Sequence, residues 1–468
     1  MAVFSIIKLS ELEGARRFDA EYYQPEYLDI VKKLKGFQNI YIRQIGKVVY
    51  GTTPTGGFFE KKGVPFIRSQ NFSLLSVDND FVFCSDEFHS QNKKSKVVSG
   101  DILFAAVGAT IGKLAIVQNH IQEANINQNI AAVKIKDERF NPYFVGLFFA
   151  SRYGQAQIER LVTGNAQFYL NSDQIKSFVV PISRKDFQNE IAEIFQNVQK
   201  ELEQSNLFYS QAEELLLEEL GLKDFKPKYE LSYTAKLSDA FGMYRVDAEY
   251  FQPAYELVVK KIESYTNGFE KLLGYVENIK PNFDPTKYPE QIFSYVELAD
   301  IDSSIGVIHS VNEIKGEEAP SRARRMLKEK DVIVSSVEGS LEKVALIDKE
   351  HDGYLASTGF FQFRPVNILP EVLLVLSKTI VLQSQLKKQC SGTILTAVPK
   401  ESLRDIVIPL LPLETQQKIA LLVQQSHEAR KRAKELLEVA KKAVEIAIEE
   451  NEDKAMKHIS TNNNSKEE

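Results

Sequence analysis

Between Phe187 and Leu220 apolar or small residues recur in alternating steps of four and three, at Ile191, Phe195, Val198, Leu202, Ser205, Tyr209, Ala212 and Leu216. Polar and charged residues fill most of the positions between them. That spacing is the seam of a long helix lying against another helix. A second helix carries the same seam at Ile419, Val423, Ser426, Arg430, Ala433, Leu437, Ala440 and Val444, with Arg430 the one charge in the line. The two series are in register, since 419 − 191 = 228 and 444 − 216 = 228, and the helices are predicted to pair with each other. Gly221 supplies a C-terminal cap and Pro227 prevents continuation, so residues 221–228 form a linker. A helix of about 35 residues spans roughly 50 Å, comparable to about 15 base pairs of duplex.

The same shift runs through most of the chain. Arg17 to Pro25 reads RFDAEYYQP and Arg245 to Pro253 reads RVDAEYFQP; Lys8-Leu9-Ser10 maps onto Lys236-Leu237-Ser238, Gly164 onto Gly392, and Pro181 onto Pro409. A period this long marks a duplicated domain rather than a solenoid. The fold class expected is α+β: two mixed α/β domains and two long paired helices, in an internal pseudo-twofold repeat. The boundaries expected are 1–185 for the first domain, 186–220 for its helix, 221–228 for the linker, 229–412 for the second domain, 413–450 for its helix, and 451–468 for a polar, disordered tail. A chain with two similar halves suits a ligand with two related halves, such as duplex DNA.

Composition narrows the class. With 468 residues, 43% hydrophobic and 26% charged, the chain can bury two ordinary cores. No run of about 18 apolar residues occurs and the start lacks a secretion signal, so a cytoplasmic address without membrane contact is expected. Two distant cysteines, Cys84 and Cys390, and six scattered histidines point to neither a disulfide framework nor a metal site. The formal net charge of −6 argues against coating DNA by bulk charge and leaves local basic patches open.

Within the first repeat a Gly/Thr/Pro turn, Gly51-Thr52-Thr53-Pro54, precedes Lys61, Lys62 and a strand-like Val64-Pro65-Phe66-Ile67 that leads into Arg68-Ser69-Gln70-Asn71. Ile102 to Phe104 and Leu114 to Val117 outline a hairpin through Gly108 and Gly112, repeated at Val332 to Val334 and Val344 to Ile347. Asp101 and Asp331 enter corresponding strands, which suits a turn role. Asn141-Pro142-Tyr143-Phe144 is superficially similar to the amine-holding motif of amino-methyltransferases but lacks its second proline; a capped helix start explains it. Gly108-Ala109-Thr110-Ile111-Gly112 lacks both the P-loop lysine and the dinucleotide pattern. No catalytic, cofactor or metal residue is therefore expected on the chain.

The remaining chemistry suits nucleic acid. Arg68, Gln70 and Asn71 close a predicted strand, and Asn165, Gln167 and Tyr169 follow Thr163-Gly164. Asn and Gln can donate and accept at adenine, and Arg can bond guanine bidentately. Thr52, Thr53, Lys61, Lys62 and Lys94 in the first repeat, and Arg322, Arg324, Arg325, Thr393 and Lys400 in the second, complete the candidate DNA contacts, the cations through phosphates. Taken singly, each basic residue is equally well a solvated charge, and each loop amide an ordinary loop hydrogen-bonder. Framework positions repeat, whereas Arg68-Ser69-Gln70-Asn71 becomes Glu297-Leu298-Ala299-Asp300 and Asn165-Ala166-Gln167 becomes Thr393-Ile394-Leu395. Two readers with different tips imply an asymmetric, split recognition sequence.

The repeated Asp-Ala-Glu-Tyr-(Tyr/Phe)-Gln-Pro, Gly51-Thr52-Thr53-Pro54 with Gly63-Val64-Pro65-Phe66, Gly100-Asp101-Ile102-Leu103, and Val180-Pro181-Ile182 or Ile408-Pro409-Leu410 running into a Gln-containing helix together resemble the specificity subunits of type I restriction-modification systems. The resemblance covers all but the tail. It implies that the globular regions are target-recognition domains, each binding half of a bipartite DNA sequence, and that the paired coiled-coil helices set the gap. It further implies a non-catalytic subunit that directs adenine methylation and restriction by partners. Those partners would be double-stranded DNA, two methylation subunits and two restriction/translocase subunits, with S-adenosylmethionine, ATP and magnesium on the partners and none on this chain. The second repeat departs from the pattern, with Pro281-Asn282-Phe283-Asp284-Pro285 in place of Gly-Thr-Thr-Pro. Competing readings are a coiled-coil assembly subunit of a related phage-defence complex without restriction, and a chain that is itself a methyltransferase or nuclease.

Overall fold

A computed structural model of the chain describes residues 4–12, 18–57, 59–78, 81–108, 110–162, 168–392 and 396–464. They form two compact units: Met1–Leu202 with Lys431–Glu468, and Glu203–Arg430. Each long helix contributes one part to each unit.

In the first unit an antiparallel sheet runs Gly46–Tyr50, Ile130–Ile135, Ile102–Ala105, Leu114–Ile116 in spatial order. A second sheet runs Val82–Cys84, Val64–Ile67, Ala124–Ile126, Lys96–Val97, with its central pair parallel. The strand Ile102–Ala105 is buried at every position, as a strand covered on both faces must be. Ile102 and Phe104 face a core with Phe144, Leu147 and Phe148 of the helix Pro142–Ala150. Leu103 and Ala105 face Ile67, Val97 and Ile126 of the second sheet. Asn141 caps that helix by accepting from the Tyr143 N–H at 3.0 Å, with Pro142 at its first position.

The second unit repeats this order. Its antiparallel sheet is Val276–Asn278, Phe360–Pro365, Val332–Ser335, Val344–Leu346, and its mixed sheet is Asn312–Lys315, Ile292–Val296, Leu355–Ser357, Ala323–Met326, again with a parallel central pair. The duplication read from spacing is thus a duplication of topology.

Buried polar side chains join the pieces at equivalent positions. Gln157 exchanges two hydrogen bonds with the Val179 backbone, at 2.9 and 3.1 Å, and Gln385 does the same with Val407, at 2.9 and 2.8 Å. Gln188 accepts from the Asn141 N–H at 2.8 Å, and Gln416 from the Leu369 N–H at 3.2 Å, tying each long helix to the start of a domain helix. Asp101 bonds Lys134 at 2.6 Å; its counterpart Asp331, fully buried, binds the Arg364 guanidinium at 2.8 and 2.9 Å and Gln362 at 2.7 Å. Both aspartates hold a strand to its neighbour.

The long helices run Lys185–Glu219 and Leu413–Glu449 and pack antiparallel. In the first unit Ile191, Phe195, Val198 and Leu202 share one core with Ala433, Leu437, Ala440 and Val444, and Arg432 reaches Glu201 at 3.0 Å. In the second unit Tyr209, Ala212 and Leu216 share a core with Ile419 and Val423. The small seam residues Ser205 and Ser426 meet with hydroxyls 3.2 Å apart, and Ser426 donates to the Ser205 carbonyl at 2.7 Å. Arg430 interrupts the apolar line because it is committed elsewhere: its guanidinium lies 2.5 Å from Asp302, and the two side chains are 11% and 7% exposed. Burial alone would raise the Asp302 carboxyl, but Arg430 and the Ser304 N–H and hydroxyl outweigh it and hold the group below the usual carboxylate range.

The chain's last segment departs from expectation. The tail read as polar and disordered from residue 451 is a helix over Glu452–Asn464. Its Ala455 and Ile459, one turn apart, are fully buried in the first unit's core, and Arg184 binds Glu452 at 2.8 Å and Asp453 at 2.9 Å. Two apolar positions on one face suffice when that face completes an existing core.

Replacing Arg430 by Leu leaves the Asp302 carboxylate buried without its partner and is expected to cost roughly 3–5 kcal/mol, measured by urea unfolding; replacing Asp302 by Leu as well should return most of that. The lowered Asp302 carboxyl contributes fully above its unfolded pKa of about 3.9, and its contribution is lost as pH falls through the folded value. Acid unfolding of the wild type should therefore show a component below about pH 4 that the double variant lacks.

Candidate nucleic-acid interface

In the first unit a set of loops is drawn into one rim by backbone hydrogen bonds. The Thr52 N–H donates to Ile126 O at 3.1 Å, and the Gln128 N–H donates to the Thr53 hydroxyl at 3.4 Å. The Asn127 N–H reaches Ile67 O at 3.1 Å, immediately before Arg68. The Ala106 N–H donates to Asn129 O at 2.8 Å, the Leu170 N–H to Ala106 O at 2.9 Å, and Val107 bridges Tyr169. Gly51 is required here: a Cβ would fall 2.0 Å from the Asn127 carbonyl oxygen, so any side chain would force the loops apart. Tyr50 donates its hydroxyl to the Leu170 carbonyl, and burial pushes that phenol up to about 12, keeping it a donor at neutral pH.

This rim brings together Thr52, Thr53, Arg68, Gln70 and Tyr169 of the sequence candidates. Thr52 and Gln70 are exposed, while Thr53 and Arg68 are half-buried. It also exposes Phe168, at 56%, beside Tyr169, at 47%. Phe168 was missed by a search for hydrogen-bonding residues, although its place next to Tyr169 after a Gly-containing loop was a usable signal. Exposed aromatics can lie against bases or a thymine methyl. Asn165 and Gln167 lie outside the described residues.

The second unit repeats part of this rim. The Ser336 N–H donates to Gly359 O at 2.9 Å, the Val398 N–H to Ser336 O at 2.8 Å, and Val337 bridges Ala397 as Val107 bridges Tyr169. The Thr358 N–H donates to Arg322 O at 2.8 Å, which brings the exposed Arg322 to this rim. Lys400 is exposed on the following turn, Lys400–Asp405. Thr393 lies outside the described residues. The scaffold is shared and the exposed chemistry is not: Tyr169 stands where the second repeat has Ala397.

Two sequence candidates are corrected. Asn71 is only 2% exposed; its side-chain oxygen accepts from the Arg68 N–H at 2.9 Å and closes the turn Ser69–Asn71. Asp300 closes the equivalent turn, accepting from the Glu297 N–H at 2.8 Å. Both are short polar residues with an oxygen that mimics a backbone acceptor, so the apparent Asn-to-Asp divergence is one structural role kept. Arg325 is 6% exposed and donates to Ile279 O at 2.5 Å; burial pushes its guanidinium down to about 10. Its strand position turns it inward. Arg324 is restrained by Asp284 at 3.3 Å. Lys61, Lys62 and Lys94 are exposed on other turns of the first unit and are not drawn to the rim by the bonds above.

Among the described residues no group of three or more His, Cys, Asp or Glu side chains could hold a metal ion. Among the described residues no helix is long and apolar enough to cross a membrane.

A family model described as the type I restriction modification DNA specificity domain matches residues 34–207 and 302–463. The chain is 22% identical over 404 residues to a putative type I restriction enzyme MjaX specificity subunit of Methanocaldococcus jannaschii, covering 82% of this chain and 86% of that protein. It is 26% identical over 147 residues to the type I restriction enzyme HindI specificity subunit of Haemophilus influenzae, covering 30% of this chain and 31% of that one. Among solved structures it is similar to the S subunit of a type I restriction-modification system from M. genitalium, with a TM-score of 0.38, 13% identity, and 90% and 96% of the two chains covered. The HsdS subunit from Thermoanaerobacter tengcongensis aligns with a TM-score of 0.30, 14% identity, and 89% and 97% covered.

Asn71→Ala is expected to lower stability by about 0.5–2 kcal/mol through loss of the turn closure, whereas Gln70→Ala, on the surface of the same turn, should stay within about 0.5 kcal/mol of wild type. Chemical denaturation of the two variants checks both values.

Proposed function

The chain belongs to the type I restriction modification DNA specificity family, and on that premise we propose that it reads a bipartite, asymmetric DNA sequence on behalf of a modification and restriction complex. The observation that carries this reading is the pair of rims. Each stands on the same topology and shares three equivalent backbone contacts, Ala106–Asn129, Leu170–Ala106 and Val107–Tyr169 matching Ser336–Gly359, Val398–Ser336 and Val337–Ala397, and each exposes different side chains. A duplicated scaffold with unlike tips is suited to two unlike half-sites.

In this reading the first rim reads its half-site through Thr52, Arg68, Gln70 and Tyr169, with Phe168 against the bases and Lys61, Lys62 and Lys94 toward phosphates. The second reads through Arg322, with Lys400 toward the backbone. The chain itself carries out no bond-making step. Adenine methylation, with S-adenosylmethionine, belongs to methylation subunits, and ATP and magnesium chemistry to restriction/translocase subunits; two of each are proposed. A net charge of −6 supports a division in which partners closing around the duplex supply much of the affinity. The complex would act in the cytoplasm, where unmodified DNA arrives.

The test is to express the chain with the methylation subunit of its own operon in a methylation-free host and map modified bases by long-read sequencing. A split adenine-methylated motif that vanishes without this chain is expected; an unsplit motif, or one independent of the chain, would refute the reading. Tyr169→Ala and Arg322→Ala should each relax one half of the motif and leave the other unchanged, with roughly 1–3 kcal/mol of discrimination lost for a good base contact.

A further inference from the structure

In the second unit the strands Ile301–Asp302 and Val307–Ile308 form a hairpin that sits on the helix Leu413–Glu449 and on the end of the helix Pro370–Lys378. Charged and ionisable side chains make the seat. Asp302 meets Arg430, the Ile305 carbonyl accepts from His427 Nε2 at 2.9 Å, and the Ser304 carbonyl accepts from Lys378 Nζ at 2.9 Å. The Lys378 side chain is 6% exposed; its Nζ lies 3.8 Å from Glu213 and 4.1 Å from the centre of the Tyr209 ring, both on the helix Lys185–Glu219. The Tyr209 hydroxyl is buried and bonds nothing among the described residues. An ammonium so enclosed, with its carboxylate beyond direct hydrogen-bond reach, is poorly compensated.

The matching seat of the first unit is built on leucines. Its hairpin pairs Phe72 with Val77 and Ser73 with Ser76. The two hairpins correspond because the Ile116 N–H donates to Leu75 O at 2.8 Å as the Leu346 N–H donates to Gly306 O at 3.1 Å. Leu74 and Leu75 form its tip with positive φ, 45° and 59°, and pack on the core that holds Val198 and Leu202. Two leucines held in a left-handed conformation show how firmly that tip is seated. At the 228-residue shift Leu202 stands for Arg430, Gln199 for His427 and Ala150 for Lys378. None of these three can take up a proton.

Burial acts on both cations of the second seat in one direction. It pushes the Lys378 ammonium down to about 8, against the opposing pull of Glu213 and Asp302. It also pushes the His427 imidazole below its ordinary value, against the Ile305 carbonyl, Asp348 and Glu371, with Lys378 adding to the drop. Burial raises the Glu213 carboxyl in spite of Lys378, so desolvation outweighs attraction at both ends of that pair. Each cation is easier to charge once it reaches water. A lifted hairpin takes up a proton at Lys378 between its free value of about 10.4 and its folded value of about 8, and at His427 below about 6.5. Lifting therefore becomes easier as pH falls through either window. Glu213 acts with the opposite sign, since the closed state takes its proton first, and Asp302 matters only below about pH 4.

We propose that this seat is a proton-operated latch: proton uptake by Lys378 and His427 releases the hairpin of residues 301–308 from the long helix, while the leucine-built seat of the first unit stays shut. The hairpin continues directly from the turn Leu298–Asp300, the counterpart of Ser69–Asn71, so its release is passed on by the backbone to that turn. The latch stands on side-chain geometry and does not depend on the DNA-reading role. The test is hydrogen exchange of the full chain, followed by mass spectrometry from about pH 9.5 to about pH 5.5 and corrected for the intrinsic rate. The opening constant of peptides covering 301–308 is expected to rise about tenfold or more from about pH 9.5 to about pH 7, and again below about pH 6.5, while peptides covering 72–77 stay flat. Lys378→Met, which keeps an apolar stem on the Tyr209 ring, should remove the first rise and leave the second. His427→Gln, which still can donate to the Ile305 carbonyl and matches Gln199, should do the reverse. A flat wild-type profile at 301–308, an equal rise at 72–77 or in the sheet strand Val332–Ser335, or a first rise retained in Lys378→Met overturns the latch. Should a variant lose its thermal transition, the wild-type comparison of 301–308 with 72–77 and with that strand decides alone.

Discussion

Ile191, Phe195, Val198 and Leu202 find their apolar partners in Ala433, Leu437, Ala440 and Val444, more than two hundred residues downstream. The seam between the antiparallel helices is the contact that both units are built around. In each unit a core of sheet and short helices remains open on one side until the long helices cover it. The pairing is specific because its small and polar members match: Ser205 meets Ser426, where larger residues would hold the helices apart. Arg430, which breaks the apolar line, is satisfied by Asp302 of the second domain, so that pair orients the helices on the domain instead of merely tolerating a charge.

Duplication was followed by selective change. Residues that join elements were kept, with Gln157 and Gln385 clamping Val179 and Val407 in the same two-bond geometry and Asn71 and Asp300 closing the same turn. Residues that project from the rims were altered, Tyr169 against Ala397 being the clearest case. A division of labour follows from the physics: backbone bonds set where loops lie, and side chains free of structural duty can vary without loss of fold.

The heptad seam, the repeat and the fold class could be read directly, because a period of 3.5 and a fixed shift are properties of spacing. The capped helix at Asn141 was equally accessible from local chemistry, and so was the turn role of Asp101, which accepts from the Val98 N–H at 2.9 Å; Asp331 instead commits its carboxylate to Arg364 and Gln362 of the neighbouring strand. Burial of individual polar residues was not. Asn71 and Arg325 look like readers in a string of letters, and only the geometry turns one into a cap and the other inward. The last helix was missed since Ala455 and Ile459 make a thin apolar face, too weak to stand without the core it completes. The repeated glutamines were visible all along at the 228-residue shift, as Gln157/Gln385 and Gln188/Gln416. Their clamping role required the backbone groups they bond.

The unit that contains the start of the chain also contains its end, Lys431–Glu468, whereas the other unit is the uninterrupted stretch Glu203–Arg430. On a ribosome this inverts the usual order of maturation. The second unit has all of its residues once Arg430 has emerged, while the first, begun earliest, waits with an uncovered hydrophobic face until Ala455 and Ile459 are made. Contacts of such long sequence separation form late. The nascent first unit is therefore the part of the molecule most dependent on protection from aggregation, and a stop codon between Arg430 and Ile459 would damage the domain encoded farthest from it.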